Sequence, residues 1–425
     1  MTMRVLVVGG GGREHALVWK LVQSPLVGEL LCMPGNAGTA PLAESIDVSP
    51  NDLDAIVRLA NERRVDLAVI GPEDPLAAGL ADRLTEAGVA TAGPSAAAAR
   101  IESSKAWAKA LMVDAGVPTG QAVAVNTIED GRRVIAEFGA PVVVKADGLA
   151  AGKGVAVCDT TDAAERTLTG YMDQRLLGDA GATVLIEEYI AGQEVSILAL
   201  TDGRTIYPLA PACDYKRAFD GDVGPNTGGM GAYTPVPAFA EDLQAEIQRT
   251  VLEPTVAALA ATGSPMRGVL YAGLILTEEG PKVLEFNARF GDPETQVILP
   301  TLDGDLAALL DAVVRGRLAD IAAPSAHDAA VGVVLASGGY PGTYQTGHPI
   351  DGLDRVPDDV LVFHAGTVHD DAGRVVTAGG RVLTVVGQGS DLASARERAY
   401  AGAAAISFAG MQVRQDIALR EIAAL

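Results

Sequence analysis

Glu285 and Asn287 stand two residues apart in the run from Glu285 to Glu294 (Glu-Phe-Asn-Ala-Arg-Phe-Gly-Asp-Pro-Glu), which closes an apolar strand. Side chains alternate faces along a strand, so Glu285, Asn287 and Arg289 project one way and Leu284, Phe286 and Ala288 the other. A carboxylate and an amide oxygen so placed can share a Mg²⁺ whose remaining positions go to water and phosphate oxygens, while a guanidinium beside them neutralises a phosphoryl group in transfer. A lone Glu and Asn on a strand usually mark a solvated edge; the continuation Arg289-Phe290-Gly291-Asp292-Pro293-Glu294 argues against that here.

Four other stretches could join this chemistry. Gly9 to Gly12 follow an apolar strand and open a helix, where glycines let the backbone approach a phosphate. A dinucleotide fingerprint does not fit. Counted from Gly9 its third glycine would be Glu14, counted from Gly10 it would be His15, and the next strand ends in Met33-Pro34 without an acidic residue for a ribose. The phosphate of a smaller ligand is expected at Gly10, Gly11 and Gly12, with Arg13 assisting and Asn36 nearby; the bland alternative is a turn that serves packing alone. Gly148 to Gly154 lacks the spacing of a P-loop and has Gly154 where Ser or Thr is required after Lys153. It joins the strand Val142 to Lys145 to the strand Val155 to Cys158, so Gly148, Gly152, Lys153 and Gly154 read as a flap that can close over a triphosphate. Lys145, ending a buried strand, needs a partner, and a phosphate is expected ahead of a structural carboxylate, as for Lys105.

The strand from Val184 runs into Glu187, Glu188, Tyr189 and Ile190, a polar edge that can offer main-chain groups to an adenine, with Glu194 able to accept from ribose hydroxyls. Asp214, Lys216 and Arg217, followed by Asn226, Thr227, Gly228 and Gly229, combine cations with exposed amides suited to a carboxylate or phosphate. The five histidines show no ligand spacing, and no Ser or Cys has a nucleophile's setting.

Short apolar runs alternate with amphipathic helices up to about residue 100: strands Val5 to Val8, Glu29 to Met33 and Asp66 to Ile70; helices Arg13 to Gln23, Asp52 to Arg63 and Pro75 to Ala87. That pattern predicts a doubly wound parallel sheet with ligands at the carboxyl ends of its strands. A helix around Ser104 to Ala115 and mixed strands follow, then a long Gly/Pro-rich stretch from 211 to 237 that reads as a structureless functional connection. Past an Ala/Pro linker at Ala322 to Pro324, strands at 330–336, 360–365 and 380–386 and a helix at 391–408 predict a small α+β unit. The expected division is 1–103, 104–325 with a lid at about 121–190, and 326–425.

A formal net charge of −22 argues against a nucleic-acid or anionic-membrane surface, so anionic ligands must be held locally. Three separated cysteines and the lack of an ~18-residue apolar span or a leader pattern point to a reduced cytoplasm.

With strand, flap, hinge and metal face in this order, the chain resembles the ATP-grasp ligases and, within them, the glycinamide ribonucleotide synthetase family. The likeness spans nearly the whole chain. It rests on Gly9 to Leu17, Pro34 to Thr39, Gly71-Pro72-Glu73, Lys145 to Gly154, Gly224 to Tyr233 and Arg289 to Gln296. The resemblance implies an α/β and α+β multidomain fold: a doubly wound parallel sheet, a central ATP-grasp fold and a small C-terminal α+β domain. It also implies ligation of glycine to 5-phosphoribosylamine through a glycyl phosphate, with ATP as co-substrate and Mg²⁺ or Mn²⁺ as metal.

On that likeness, Lys105, Lys145 and the flap would hold phosphates, Glu187 to Ile190 the adenine, Glu194 the ribose, and Glu285 with Asn287 the metal. Arg289, Asp292 and Asp214 would be catalytic. Gly10 to Arg13, Asn36, Glu73, Lys216 and Asn226 to Gly229 would bind the other substrates. Many ATP-grasp enzymes carry a second acidic metal ligand about a dozen residues earlier, where this chain has Gly273. A monomer or weak dimer is expected, with no nucleic-acid or membrane partner. Two rivals share the scaffold: a ligase activating bicarbonate or formate, and a nucleotide-regulated binding protein without turnover.

Overall fold

The computed structural model describes residues 2–150 and 152–424; Ala151 of the glycine-rich loop lies outside the described residues. The first unit is a five-stranded parallel sheet in the order Glu44–Ser45, Val27–Pro34, Met3–Gly9, Leu67–Ile70, Ala90–Ala92. The order reverses about Met3–Gly9, which pairs with Val27–Pro34 on one side and Leu67–Ile70 on the other. A crevice therefore opens beyond its carboxyl end, where Gly9 to Gly12, Gly35-Asn36 and Gly71 to Glu73 meet. The single helix expected over 75–87 is two, Glu73–Ala77 and Leu80–Glu86, because Gly79 between them adopts φ +86.

Two helices, Ala96–Ser103 and Lys105–Asp114, lead onward, divided by Ser104 in extended backbone. Beyond them a four-stranded antiparallel sheet, ordered Ala122–Val125, Val184–Glu188, Val142–Ala146, Val155–Cys158, packs with the helices Ile128–Phe138 and Thr161–Met172. Its core, including Val134, Val144, Leu168 and Ile186, is separate from the rest. A unit with its own core joined by loops can move as a body.

The main body holds a second antiparallel sheet, in the order Ile206–Pro208, Gln193–Thr201, Gly268–Thr277, Gly280–Asn287. The stretch 211–237, expected to be without structure, carries four short strands. Two of them, Cys213–Asp214 and Gly231–Thr234, lie in the C-terminal sheet beside Ala329–Ala336, Arg381–Gly389 and Val360–His364. Strands this short, rich in Gly and Pro, show no alternation long enough to read; buried Tyr215, Met230 and Tyr233 anchor them. One apolar cluster contains Val5, Leu198, Phe290, Phe363 and Val386, so everything but the lid shares core. No helix among the described residues is long and apolar enough to cross a membrane.

Candidate active site

Glu285 and Asn287 occupy the end of the strand Gly280–Asn287, half-buried, with Phe286 between them buried in the core. Gly273 faces Glu285 across the ladder, so that neighbour leaves space rather than a side chain beside the carboxylate. Burial raises the carboxyl pKa, but Lys216, Lys145, Lys105 and Arg289 more than offset this and hold it below the ordinary value. Four cations around one carboxylate make a setting for phosphate with a metal between them. Among the described residues no three His, Cys, Asp or Glu side chains gather as a metal site. The hard oxygens of Glu285 and Asn287 suit a Mg²⁺ that takes most of its ligands from phosphate and water.

Lys145 already has a carboxylate. Its Nζ lies 2.5 Å from Glu187 Oε2 and donates to Leu284 O at 2.9 Å, while Lys109 reaches the other Glu187 oxygen at 3.0 Å. Where a phosphate was expected ahead of a structural carboxylate, the structure pairs Lys145 with a carboxylate: three charges share one buried cluster, and the Glu187 side chain is turned to Lys109 and Lys145. The polar edge also begins later than expected. Val184–Glu188 is a central strand, paired with Ala122–Val125 on one side and Val142–Ala146 on the other, so its main chain is engaged through Glu188. The Glu188 carboxylate accepts from Gln121 N at 2.9 Å. Tyr189, exposed, and Ile190 are the first residues beyond the ladder.

Lys105 Nζ donates to Gly148 O at 3.4 Å, tying the helix start to the flap. Lys153 is exposed at the flap's tip, and Gly152, with φ +75, has space for a Cβ only 3.6 Å from Thr227 O. The Asn226 amide reaches Val155 O at 3.5 Å. Thus the flap meets the loop 224–231.

The glycine turn serves packing as well as any ligand. Gly11 N donates to Glu14 Oε2 at 2.6 Å, and a Cβ on Gly9 or Gly71 would strike the Glu14 side chain. A Cβ on Gly10 would meet Gly35 O at 2.5 Å, and one on Gly12 would meet Gln296 Nε2 at 2.7 Å. Asn36, expected to hold substrate, uses its side chain as a brace: Nδ2 donates to Gly10 O at 3.0 Å and His364 O at 2.7 Å, and Oδ1 accepts from Gly38 N and Thr39 N.

Arg13 and Arg289 lie in a chain of charges. Arg13 Nε is 2.5 Å from Glu14 Oε1, and its Nη1 is 4.0 Å from Glu73 Oε2. The same Glu73 oxygen lies 3.4 Å from Arg289 Nε, and Arg289 Nη2 lies 2.9 Å from Glu102 Oε1 and 3.3 Å from Asn287 Oδ1. Arg289 Nε is buried without a hydrogen bond.

On the other side, Lys216 Nζ is 2.5 Å from Glu194 Oε2 and 4.0 Å from Asp214 Oδ1, so Glu194 is paired with a cation rather than free for a ribose. Behind them Tyr271 donates to Glu294 Oε1 at 2.6 Å and contacts Ser196 Oγ at 2.8 Å. Burial, then Glu294 and Glu194 against the opposing pull of Lys216, push the Asp214 carboxyl up to about 7. Asp292 accepts from Gln296 Nε2 at 2.7 Å and pairs with Arg381 at 3.2 Å. Thr227 donates to Lys216 O, and Gly228 O and N bond Arg381 and Tyr340.

The structure joins Arg13, Glu73 and Arg289 in one chain of charges and Glu194, Lys216 and Asp214 in another, while the side chains of Asn36, Lys145 and Glu187 are engaged by protein partners. Sequence reasoning missed Glu102, Lys109, Tyr271, Arg381 and Tyr340, and gave Glu294 no role. Glu102 and Lys109 flank Lys105 on helices where charge reads as solvated surface; nothing local marks Arg381.

Family models of phosphoribosylglycinamide synthetase match three successive segments: its N domain at residues 3–102, its ATP-grasp (A) domain at 103–295 and its C domain at 330–420. The chain is 50% identical over 424 residues to a phosphoribosylamine–glycine ligase of Nostoc sp., covering 98% of this chain and 99% of that one. It is 49% identical over 430 residues to a trifunctional purine biosynthetic protein of Gallus gallus, all of this chain matching 43% of that one. The crystal structure of a phosphoribosylamine–glycine ligase from Thermotoga maritima superposes with a TM-score of 0.85 at 35% identity, over 97% of this chain and 100% of that one. A biotin carboxylase domain from Hydrogenobacter thermophilus shares the fold, with a TM-score of 0.75 at 18% identity over 97% of this chain and 92% of that one.

Proposed function

The chain belongs to the phosphoribosylglycinamide synthetase family, and from that premise we propose that it joins glycine to 5-phosphoribosylamine at the expense of ATP, in purine biosynthesis. The observation that carries the reading is that Arg289 Nη2 lies 3.3 Å from Asn287 Oδ1 and Lys145 Nζ 2.9 Å from Leu284 O at the end of the strand that bears Glu285, where Lys105, Lys145, Lys216 and Arg289 together hold the carboxyl below its ordinary pKa.

In the first step a glycine carboxylate oxygen attacks the γ-phosphorus, the bond to the β-phosphate oxygen breaks, and ADP leaves with the electron pair. Lys105 and the flap hold the phosphates, and Lys145 joins them by leaving Glu187, which keeps Lys109 as its counterion. Arg289 offsets charge on the phosphoryl group as it transfers. Glu285 and Asn287 would hold a Mg²⁺ or Mn²⁺, which supplies charge neutralisation at the phosphates. In the second step the sugar amine attacks the glycyl carbonyl carbon, phosphate leaves, and the amine's proton passes to a base. Asp214, with its raised carboxyl, is suited to that proton near neutral pH. The glycine turn, Arg13 and Glu73 face the phosphoribosylamine, while Asn36 shapes the turn from behind.

Measuring ADP release with glycine and phosphoribosylamine, each alone and together, tests the reading. ADP formation should require glycine, and with ¹⁸O-carboxylate glycine one label should appear in released phosphate. ADP formed with bicarbonate or formate in place of glycine, or label kept wholly in the amide product, overturns it.

A further inference from the structure

Arg381 begins the strand Arg381–Gly389 of the C-terminal sheet, and its guanidinium reaches from there to Gly228 and Asp292. Nη1 donates to Gly228 O at 2.7 Å and to Asp292 O at 2.9 Å, and lies 3.2 Å from Asp292 Oδ1. One nitrogen therefore ties the loop of Gly228 to the loop of Asp292. The fit is close: a Cβ on Gly228 would sit 3.1 Å from Arg381 Cζ, and Gly229, with φ +110, leaves no space for a Cβ against Pro293. From the turn that follows the strand Ala329–Ala336, Tyr340 OH accepts from Gly228 N at 2.9 Å, so both polar groups of Gly228 are fixed by C-terminal side chains. The two loops face opposite parts of the cleft. Thr227, beside Gly228, meets the flap, whereas Asp292 Oδ2 lies 3.5 Å from the Cβ position of Gly11 in the glycine turn.

We propose that Arg381, assisted by Tyr340, is a positioning residue for the reaction: it fixes the loop 227–229 relative to Asp292, so that the acceptor substrates are held in register between flap and glycine turn. The inference rests on the ligase reading above. Its physical basis is that charge-assisted hydrogen bonds from a planar guanidinium set direction as well as distance, and that a misplacement near 1 Å costs about 100-fold in rate. The nucleotide phosphates are faced by Lys105, Lys145 and the flap, and the flap reaches this region at Asn226 and Thr227 rather than at Gly228, which Arg381 holds, so ATP binding should change far less than turnover.

The test compares wild type, Arg381→Ala and Tyr340→Phe in kcat, in KM for glycine and phosphoribosylamine, and in Kd for a non-hydrolysable ATP analogue with Mg²⁺. Arg381→Ala should lower kcat/KM for both non-nucleotide substrates tenfold or more with analogue Kd within twofold, and added guanidinium ion should restore part of the loss. Tyr340→Phe should move the same parameters two- to fivefold. Turnover within twofold of wild type in Arg381→Ala, an equal loss of analogue affinity, or no response to guanidinium overturns the assignment. If Arg381→Ala does not fold, a folded Tyr340→Phe with wild-type kinetics overturns it instead. Failure of the ligase reading would appear in the wild type itself, as no ADP with both substrates present; failure of this inference appears only as variants that match an active wild type.

Discussion

Glu102 Oε1 lies 2.9 Å from Arg289 Nη2, while the other oxygen of the same carboxylate accepts from Ala288 N at 2.8 Å. A helix residue thus fixes both the side chain of Arg289 and the backbone that precedes it. Glu102 is buried, which raises its pKa, and the pairing with Arg289 opposes that rise. In Glu102→Gln the amide oxygen can serve only one of the two donors. With the oxygen toward Ala288, the amide NH₂ faces the guanidinium and leaves Glu73, 3.4 Å from Arg289 Nε, as its remaining carboxylate partner. Leaving one charged donor unpaired costs on the order of 1–3 kcal/mol, which as a loss of transition-state positioning is about ten-fold or more in kcat. Steady-state kinetics beside the Kd of an ATP analogue check this; unchanged kcat would show that Glu73 alone suffices to orient Arg289.

Glu285→Gln is nearly isosteric at a half-buried position, so thermal stability should change little. The neutral amide removes the charge a hard dication needs, and half-maximal activity should require at least ten-fold more Mg²⁺. A Mg²⁺ titration of turnover with the wild-type midpoint would remove Glu285 from the metal site.

Much of this geometry was readable beforehand because it is local. The alternation of Glu285 and Asn287 about buried Phe286 follows from the strand, although Arg289 lies in a bend past its end at Asn287, and the position of Gly9 to Gly12 follows from an apolar strand running into a helix. What was not readable depends on contacts distant in sequence. Glu187 looked like a nucleotide edge because nothing in Val184 to Ile190 shows that strands on both sides cover it. Asn36 looked like a ligand because His364, its partner from the far end of the chain, cannot be seen from Pro34 to Thr39. The stretch 211–237 looked unstructured because two of its short strands are completed by a sheet whose next strand begins only at Ala329, and the other two pair only with each other.

His15 and His364 join the first and last parts of the chain and should make stability fall in mild acid. His364 N donates to His15 Nδ1 at 2.8 Å, which requires that nitrogen to be unprotonated. Burial, then the neighbouring His364, holds the His15 pKa down to about 3; burial, then His369, holds His364 at about 4. Below the unfolded value of about 6.5 the unfolded chain takes up protons that the folded chain refuses. Stability is therefore fully present above pH ~6.5 and declines as pH falls, by up to about 1.4 kcal/mol per pH unit for each histidine. His15→Asn keeps an acceptor near Nδ1 but does not titrate, so its unfolding free energy should fall less steeply between pH 6.5 and 5 in urea melts. Equal slopes for variant and wild type would refute the assignment.

Asp214 should have the opposite pH dependence, because its folded pKa lies above its unfolded one. Its side chain is 7% exposed, with Lys216 4.0 Å away and no closer cation. Burial and the carboxylates Glu294 and Glu194, against Lys216, bring it from 3.8 to about 7. Between those values the folded chain holds a proton that the unfolded chain has released, so Asp214 lowers stability as pH rises through this window, with the cost complete above about pH 7. Asp214→Asn removes the ionisation and should gain stability relative to wild type from pH 4 to 7. At pH 8 the variant should be the more stable, by less than the Asp214 shift alone implies because Lys216 loses a carboxylate neighbour. Activity should move the other way. If the ionised carboxylate receives the amine's proton, wild-type kcat/KM rises with pH to a plateau above about 7, and the variant is slow at every pH with that limb missing. Urea melts at several pH values, run beside pH–rate profiles for both proteins, separate the two effects. An Asn variant that is less stable than wild type at pH 8, yet keeps the acid limb, would mean that Asp214 is ionised in the folded protein and that another group takes the proton.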